Sequence, residues 1–444
     1  MQGKILAVVL LALVLWSLYP RRHFLSSLFI IALLALFEAS LSYQEFINSL
    51  FSNYGGSGLW IIISGFILSK GMELSTLARR IALKIAAGLG GDPNMVILSV
   101  AIANLVIAPL SPSTTAKAFL LLPICIGLIQ AFDSEKGRSK FGAALMIMAM
   151  AANNICSTGF LSATVPNPIS ASYIREATNI ALDWLNWLHM AMPLTLLTLM
   201  FSWLICRWMF KPEVKKTPSA LKLISDLRRE LGPLSQDEML ITIILATSLL
   251  LWITESFHRL NSGFLSLVLT LILFIPRIGV IKIGSFTKEV PWDSITLFAA
   301  SMFLAKAVSH WSALDPVAQS IFNNLNLSSL PLTLFISLII FVAMFLHVIF
   351  TSTTVYATVI IPLVISLAQL RGFQPQIIAI PVAFLTPMAL ILPVNTIPNV
   401  VFYSSGYFKQ KQMIAYGIIT SLTSALLILL IGIPYWRLQG LIPF

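Results

Sequence analysis

The chain has 444 residues, of which 58% are hydrophobic and 10% are charged. Soluble domains contain about 25% charged residues, so this composition excludes a soluble enzyme, a nucleic-acid-binding protein and a disordered scaffold. The net charge of +11 is typical of a membrane protein whose loops on one face are basic. The three cysteines lie in apolar segments and form no CxxC pair, so we expect no disulfide framework and no structural metal.

Apolar runs follow one another along most of the chain. A helix needs roughly 20 apolar residues to cross the hydrocarbon layer, and ten runs qualify as spans. Two longer regions, 93–131 and 330–370, are interrupted by small polar residues, and we interpret them as re-entrant hairpins, called the first and second hairpin. The predicted spans are 4–19, 25–43, 57–73, 141–160, 183–206, 239–257, 263–276, 291–309, 379–402 and 413–435.

The distribution of basic residues supports this topology. With both hairpins counted as non-crossing, most of the 28 Lys and Arg fall on one face of the bilayer, together with the polar linker 207–238. The positive-inside rule makes that face cytoplasmic, so we expect both chain termini outside the cell (inner) membrane. The basic stretch 75–89 predicts an amphipathic helix at the cytoplasmic interface, to which we assign no chemistry.

The two hairpins match each other in sequence. Ser113-Thr114-Thr115 recurs as Ser352-Thr353-Thr354, and the motif Thr164-Val165-Pro166-Asn167 recurs as Thr396-Ile397-Pro398-Asn399. We therefore predict an all-α polytopic membrane protein with two repeats, residues 1–206 and 239–444, each with five spans and one hairpin. An odd number of spans inverts the second repeat, and inverted repeats with interrupted segments are typical of secondary transporters.

The polar motifs indicate where an anion would bind. Hydroxyl and backbone N–H groups at a hairpin tip, with the N-terminus of the following arm, can bind an oxyanion. Proline in each TxPN motif would interrupt a helix and free backbone carbonyls. Two such tips would fit a molecule with two carboxylates. The predicted substrate-binding residues are Ser113, Thr114, Thr115, Thr164, Asn167, Ser352, Thr353, Thr354, Thr396 and Asn399.

Two ionisable residues near the tips are further candidates. Lys117 lies two positions after Thr115, and a lysine at bilayer depth is a functional candidate because it is costly there. It would bind substrate by offsetting its charge, although a lysine snorkelling to the membrane surface is the alternative. His347 is an accessory candidate that could hydrogen-bond substrate or carry a proton, with a structural role as the alternative.

Missing motifs limit the other functions. The middle of each predicted span has no Asp or Glu, which argues against a carboxylate-based cation exchanger. Neither a GxGD nor an HExxH motif is present. We therefore expect no enzyme, and a membrane-embedded enzyme or a transport-dead sensor stays a remote alternative.

The paired tips and TxPN motifs resemble those of the divalent anion/sodium symporters, a family of dicarboxylate, tricarboxylate and sulfate carriers. SPSTTAKA (111–118) and HVIFTSTT (347–354) are most similar to the 2-oxoglutarate/malate translocator and dicarboxylate carrier branch. The resemblance implies a homodimer in which a transport domain moves against a fixed scaffold by an elevator mechanism. It also implies one substrate carboxylate at each tip.

The chain departs from the family pattern where sodium would bind. The resemblance implies sodium near Ser113, Thr114, Ala163, Thr353 and Asn395, but both tip asparagines of the family are threonines here. A threonine hydroxyl is a weaker cation ligand than an asparagine carbonyl. We therefore predict a carrier of small dianionic carboxylates (malate, succinate or 2-oxoglutarate type) that works by anion exchange and has no cofactor. A sodium-coupled symporter of di- or tricarboxylates or sulfate is the alternative.

Overall fold

The computed structural model describes residues 1–18, 23–38, 57–214, 222, 225–226, 228–258, 260–284, 286 and 290–442. Within these ranges every regular element is a helix. The predicted linker 207–238 is therefore only partly described, and residues 443–444 at the C-terminus and 39–43 of the second predicted span lie outside the described residues.

The described residues of the first half form nine α-helices. Both arms of the first hairpin, α5 and α6, are joined by a short 3-10 helix, Ala108–Leu110, and another, Leu161–Ala163, lies between α7 and α8. The helices are α1 (Gln2–Leu18), α2 (His23–Glu38), α3 (Ser57–Ser75), α4 (Leu77–Gly88), α5 (Pro93–Ile107), α6 (Thr114–Ala131), α7 (Lys140–Thr158), α8 (Pro166–Thr178) and α9 (Trp184–Met209).

The second half repeats this order. Its hairpin has the arms α15 and α16, and a 3-10 helix, Pro393–Asn395, precedes α18. The helices are α10 (Gln236–Ile253), α11 (Glu255–His258), α12 (Ser262–Leu271), α13 (Trp292–Trp311), α14 (Asp315–Asn324), α15 (Leu332–Leu346), α16 (Thr353–Leu370), α17 (Gln376–Leu385), α18 (Ile397–Ser404), α19 (Gln410–Leu427) and α20 (Ile433–Leu438).

Each predicted span and each hairpin coincides with a helix or with consecutive short helices. By length and apolar composition, eight helices in the described residues could cross a membrane, or nine if α13 and α14, which meet at a bend of 69°, form one span. The arms α5, α6 and α16 are among the eight, while α1, α2, α12, α15 and α17 are shorter apolar helices. The chain is a multi-pass helical membrane protein, and ten crossings remain a prediction.

Helix α7 is the centre of the first half. Eighteen of its 19 residues, all except Lys140, are buried, and many of them are Ala or another small residue that lets neighbouring helices approach closely. Its N-terminus is held by Glu213, whose carboxylate accepts hydrogen bonds from the Ser139 hydroxyl (2.5 Å) and the Phe141 backbone N–H (3.0 Å). A carboxylate at a helix N-terminus is stabilising because it faces the positive end of the dipole.

A short helix follows α3 and another follows α13, at equivalent positions of the two repeats. We call these two helices, α4 and α14, the arm helices; they are not part of the hairpins. Thr76 (φ 62°) precedes arm helix α4, and Ser312 (φ 47°) precedes arm helix α14. Residues other than glycine rarely adopt this left-handed conformation, which costs roughly 1 kcal/mol or more. The same strained turn in both halves indicates that each arm must leave its span in a fixed direction, alongside a hairpin.

Candidate functional site

Both Ser-Thr-Thr motifs lie where the first arm of a hairpin turns into the second. Ser113 is the N-cap of α6, and its hydroxyl oxygen accepts a hydrogen bond of 3.0 Å from the backbone N–H of Ala116. Ser352 is likewise the N-cap of α16 and accepts from Val355 (3.4 Å). First-turn N–H groups have no partner inside their own helix, so each tip presents donors suited to an anion.

The first TxPN motif ends an interruption between α7 and α8, residues 159–165, which we call the first break. The side-chain amide of Asn167 donates to the carbonyls of Ser157 (2.7 Å) and Phe160 (2.8 Å). Asn167 is fully buried, and its amide therefore supports backbone carbonyls that the broken helix would leave unsatisfied. Thr164 is also buried, and its backbone carbonyl accepts from the Asn167 N–H (3.3 Å).

The second half makes the same contacts at the second break, residues 386–396. The side-chain amide of Asn399 donates to the carbonyls of Ala389 (2.7 Å) and Leu392 (3.1 Å), at positions equivalent to Ser157 and Phe160. Thr396 is the N-cap of α18, and its hydroxyl accepts from the Asn399 N–H (3.3 Å). The duplicated asparagines therefore have a duplicated structural role.

Direct hydrogen bonds join the two halves beside the breaks. The side-chain amide of Asn154 on α7 donates to Asn399 Oδ1 over 2.9 Å. The hydroxyl of Tyr173 on α8 donates to the carbonyl of Thr358 on α16 over 3.0 Å. Asn153 adds a bond of 2.8 Å to the carbonyl of Thr114 at the first tip. These bonds form a polar cluster around α7 and α8 that includes the first tip and Asn399 beside the second break.

Lys117 lies inside this cluster and does not snorkel. Its side chain is 2% exposed, and its Nζ donates to Ser157 Oγ (2.9 Å) and to the carbonyl of Ala163 (3.0 Å). No carboxylate of the described residues forms an ion pair with it. The Lys117 side chain therefore joins the first hairpin to the first break, and no carboxylate among the described residues pairs with it.

Tyr356 takes the place of Lys117 in the second half. Its hydroxyl donates to the carbonyl of Ala343 over 2.8 Å, and its ring stacks on His347 with 3.8 Å between centroids. His347 is buried, and its Nε2 lies 3.2 Å from the carbonyl of Leu385. His347 therefore packs within the second hairpin and contacts the C-terminal end of α17.

Asn395 joins the second hairpin to the second break. Its Nδ2 donates to the carbonyls of His347 (2.7 Å) and Phe350 (2.9 Å), and its Oδ1 accepts from the Leu392 N–H (3.0 Å). Two of the groups expected to contact sodium, the Ala163 carbonyl and the Asn395 side chain, are thus already bonded to protein atoms. The described part of the chain has no group of three His, Cys, Asp or Glu that could hold a metal ion.

A cavity of about 750 Å³ opens beside the first tip. Ser113, Thr115 and Lys117 line one side, and Glu73 and Arg79, of α3 and the arm helix α4, line the other. None of the predicted residues of the second hairpin or of the breaks lines this cavity. The position of Arg79 in the basic stretch 75–89 predicts an interfacial helix but not a place on the lining of this cavity.

The equivalent groove of the second half is nearly closed. It has a volume of about 160 Å³ and is lined by Ser309 and Ser312 of the α13–α14 corner and by Pro362 and Ser366 of α16. The two halves therefore differ in how open these two matching grooves are.

A further cavity of about 580 Å³ lies between α3, α8 and α13, and its charged lining residues are Arg175, Glu176, Asp183, Glu255 and Lys306.

Comparison with known proteins identifies the family. The family model described as "Sodium:sulfate symporter transmembrane region" matches residues 2–442. The sodium-dependent dicarboxylate transporter SdcS of Staphylococcus aureus (strain USA300) is 28% identical over 402 residues, which cover 86% of this chain and 76% of that protein. SdcS of Staphylococcus saprophyticus is 26% identical with the same coverage, and a membrane protein of Cupriavidus necator is 23% identical, covering 98% of this chain and 88% of that protein.

Two solved structures share the fold. The Alcanivorax borkumensis YdaH transporter aligns with a TM-score of 0.62 and 14% identity, covering 95% of this chain and 100% of that one. MtrF of Neisseria gonorrhoeae aligns with a TM-score of 0.58 and 13% identity, covering 88% and 85%. Because the family model matches nearly the whole length, the chain belongs to the sodium:sulfate symporter (divalent anion/sodium symporter) family of membrane transporters and is not an enzyme.

Proposed function

We propose that this chain exchanges small dianionic carboxylates, of the malate, succinate and 2-oxoglutarate type, across the inner cell membrane. The substrate class is supported by relatives that are named for dicarboxylate transport. One carboxylate binds the first tip (Ser113, Thr114 and Thr115) and the other binds the second tip (Ser352, Thr353 and Thr354). Thr164, Asn167, Thr396 and Asn399 hold the broken helices that form the walls of the site.

The contacts of Lys117 carry the exchange part of the proposal. Its Nζ donates to the carbonyl of Ala163 (3.0 Å), one of the residues near which the family resemblance implies sodium. A buried cation without a counter-ion is costly in a low-dielectric interior. A bound dianion offsets this charge and so favours movement of the loaded site over the empty one. Uptake of one anion then requires release of another.

The second half supports the same reasoning. The Asn395 amide donates to the tip carbonyls of His347 and Phe350, so protein N–H groups satisfy atoms that would otherwise face a cation. Sodium would have to displace these donors before it could bind. In each half a protein side chain already joins the hairpin to the break, so we propose that no sodium ion is needed for this contact.

Alternating access by an elevator movement is supported by a difference in register between the halves. In the first half, α3 touches the hairpin tip: a Cβ added to Gly65 would lie 2.7 Å from Pro112 Cδ. When α3 and α13 are aligned at their C-terminal ends, Ser75 and Trp311, Gly65 corresponds to Ser301. In the second half Ser301 accepts a hydrogen bond of 2.9 Å from Thr358, which corresponds to Phe119 and not to the tip. Positions 112 and 119 are seven residues apart, which corresponds to about 10 Å at the rise of an α-helix. We propose a displacement of this size between the two conformations of the carrier.

The proposed arrangement in the membrane follows from charge. Repeats 1–206 and 239–444 have opposite orientations, and the linker 207–238 lies in the cytoplasm with both termini outside, as the positive-inside rule indicates. A homodimer is proposed from the family resemblance, with the moving part of each protomer carrying its own site.

Labelled succinate uptake into proteoliposomes tests this function. We expect uptake that requires internal malate and does not change when a sodium gradient is added. Sodium-driven uptake into empty vesicles would establish the alternative, a symporter like the sodium-dependent relatives. Uptake of citrate or sulfate but not of succinate would overturn the proposed substrate class.

A further inference from the structure

Two adjacent arginines on α4 differ in their contacts: Arg80 is hydrogen-bonded to several groups, and Arg79 is exposed. Arg80 is held by the Glu238 carboxylate (2.8 Å) and by the carbonyls of Leu231 (2.9 Å), Gly232 (2.9 Å) and Pro233 (3.1 Å). Arg79 is exposed, and no hydrogen bond or ion pair joins it to another residue in the described ranges. Arg80 thus fixes α4 to the end of the linker, while the Arg79 guanidinium stays available.

Arg79 lines the cavity of about 750 Å³ that also reaches Ser113 and Thr115 at the first tip. The acidic group lining this cavity, Glu73, is paired with Lys70 at 3.1 Å. The charge of Arg79 is therefore not cancelled locally. Lys117 also lines this cavity, so two basic side chains without a paired carboxylate among the described residues face it, and both attract an anion.

A dicarboxylate bound at the first tip lacks its second partner in this cavity. The residues of the second tip do not line it, so in this conformation a distal carboxylate must find another donor or stay in water. A guanidinium presents paired N–H donors that match a carboxylate, and such charge-assisted bonds are about twice as strong as neutral ones.

We infer that Arg79 is a second-carboxylate site on the linker side of the carrier. It holds the distal carboxylate of a dianion whose other carboxylate occupies the first tip, as the anion enters or leaves through this cavity. Arg79 therefore favours dianions over monoanions on the linker side alone. This inference rests on the proposed carboxylate exchange.

The test compares Arg79→Gln with a matched control, Lys84→Gln, which removes an exposed charge from the same helix without touching the cavity. Succinate exchange is measured in right-side-out and inside-out membrane vesicles, and the linker side is identified by protease cleavage within residues 207–238. Butyrate, a monoanion of similar size, is the competitor in each case.

For Arg79→Gln we expect the linker-side KM for succinate to rise about tenfold, the expected loss for one charge-assisted pair. Butyrate inhibition, the KM on the opposite side and thermal stability should stay unchanged, and Arg79→Lys should restore part of the affinity. Lys84→Gln should behave like the wild type.

Three results would overturn the inference. An unchanged linker-side KM would show that Arg79 binds no substrate, and an equal rise on both sides would indicate a general effect on the fold or on the main site. A parallel loss of butyrate inhibition would rule out a site for the second carboxylate. Absence of succinate exchange by the wild type would instead defeat the proposed function, and this inference with it.

Discussion

Ser111 at the first tip donates a hydrogen bond of 2.8 Å to the hydroxyl of Ser69 on α3. The bond joins the predicted moving hairpin to the span that precedes it. In the second half the residue equivalent to Ser69 is Ala305, which has no hydroxyl group. There α13 contacts the second hairpin through Ser301, which bonds to Thr358, a residue further along α16 than the tip. The pair Ser69–Ser111 is therefore a marker of this one conformation.

Paired cysteines should trap the two conformations separately. In a variant lacking the three native cysteines, Ser69→Cys with Ser111→Cys should form a disulfide that stops exchange, because the two side chains already touch. Ser301→Cys with Thr351→Cys should form one only in the opposite conformation, where Thr351 takes the place of Pro112. Gel mobility under oxidising conditions, with and without succinate, measures both. Crosslinking of both pairs to equal extent without substrate would contradict a single dominant state.

Gly65→Ala should weaken this conformation. The added methyl group would lie 2.7 Å from Pro112 Cδ and 2.9 Å from its Cγ, so the tip must shift. We expect the yield of the Ser69–Ser111 crosslink to fall several-fold. Gly88→Ala is the control, because an added Cβ there meets nothing within 4 Å. An unchanged crosslink yield would show that the tip tolerates the methyl group and that contact at Gly65 does not set the register.

Lys117→Met should abolish exchange while the protein stays folded. The substitution removes the charge and leaves the Ala163 carbonyl without its donor, which costs about 1–3 kcal/mol. Tyr356→Phe is the control at the equivalent position. It also leaves one backbone carbonyl, that of Ala343, without its side-chain donor, but we expect it to retain exchange. Succinate exchange and thermal unfolding of both variants check this. Exchange by Lys117→Met at the wild-type rate would remove the proposed role of its charge.

Asn167→Ala should destabilise the protein. Two backbone carbonyls at the first break would lose the donors that the side chain supplies, at about 1–3 kcal/mol for each unsatisfied group. Asn399→Ala should act alike at the second break, whereas Asn186→Ala, at an exposed position near the start of α9, should change little. Thermal unfolding in detergent measures this. Unchanged stability of both break variants would favour direct substrate contact over structural support.

The repeated motifs made most of the fold predictable. Hydropathy located the spans, and the duplicated Ser-Thr-Thr and TxPN elements located the tips and breaks, because helix interruptions need caps and proline wherever they occur. The length rule was less informative for arms such as α5 and α6, which are as long and apolar as a true span. It is the charge distribution, not hydropathy, that predicts these two arms to be non-crossing.

The site itself was harder to predict from the sequence. The residue types do not indicate that the side-chain amide of Asn167 donates hydrogen bonds to the carbonyls of Ser157 and Phe160, because those contacts depend on how the chain turns at the break. The different contacts of Arg79 and Arg80 could not be predicted either, because both are basic residues of one amphipathic stretch. Only tertiary contacts distinguish a residue that supports the fold from one that faces the cavity.

Simultaneous measurement of ²²Na⁺ and labelled succinate in one set of proteoliposomes tests the central claim most directly. With malate inside, the built-in charge of Lys117 predicts succinate entry with no accompanying ²²Na⁺. Entry of ²²Na⁺ in a fixed ratio to succinate would contradict the account and make the chain a sodium symporter.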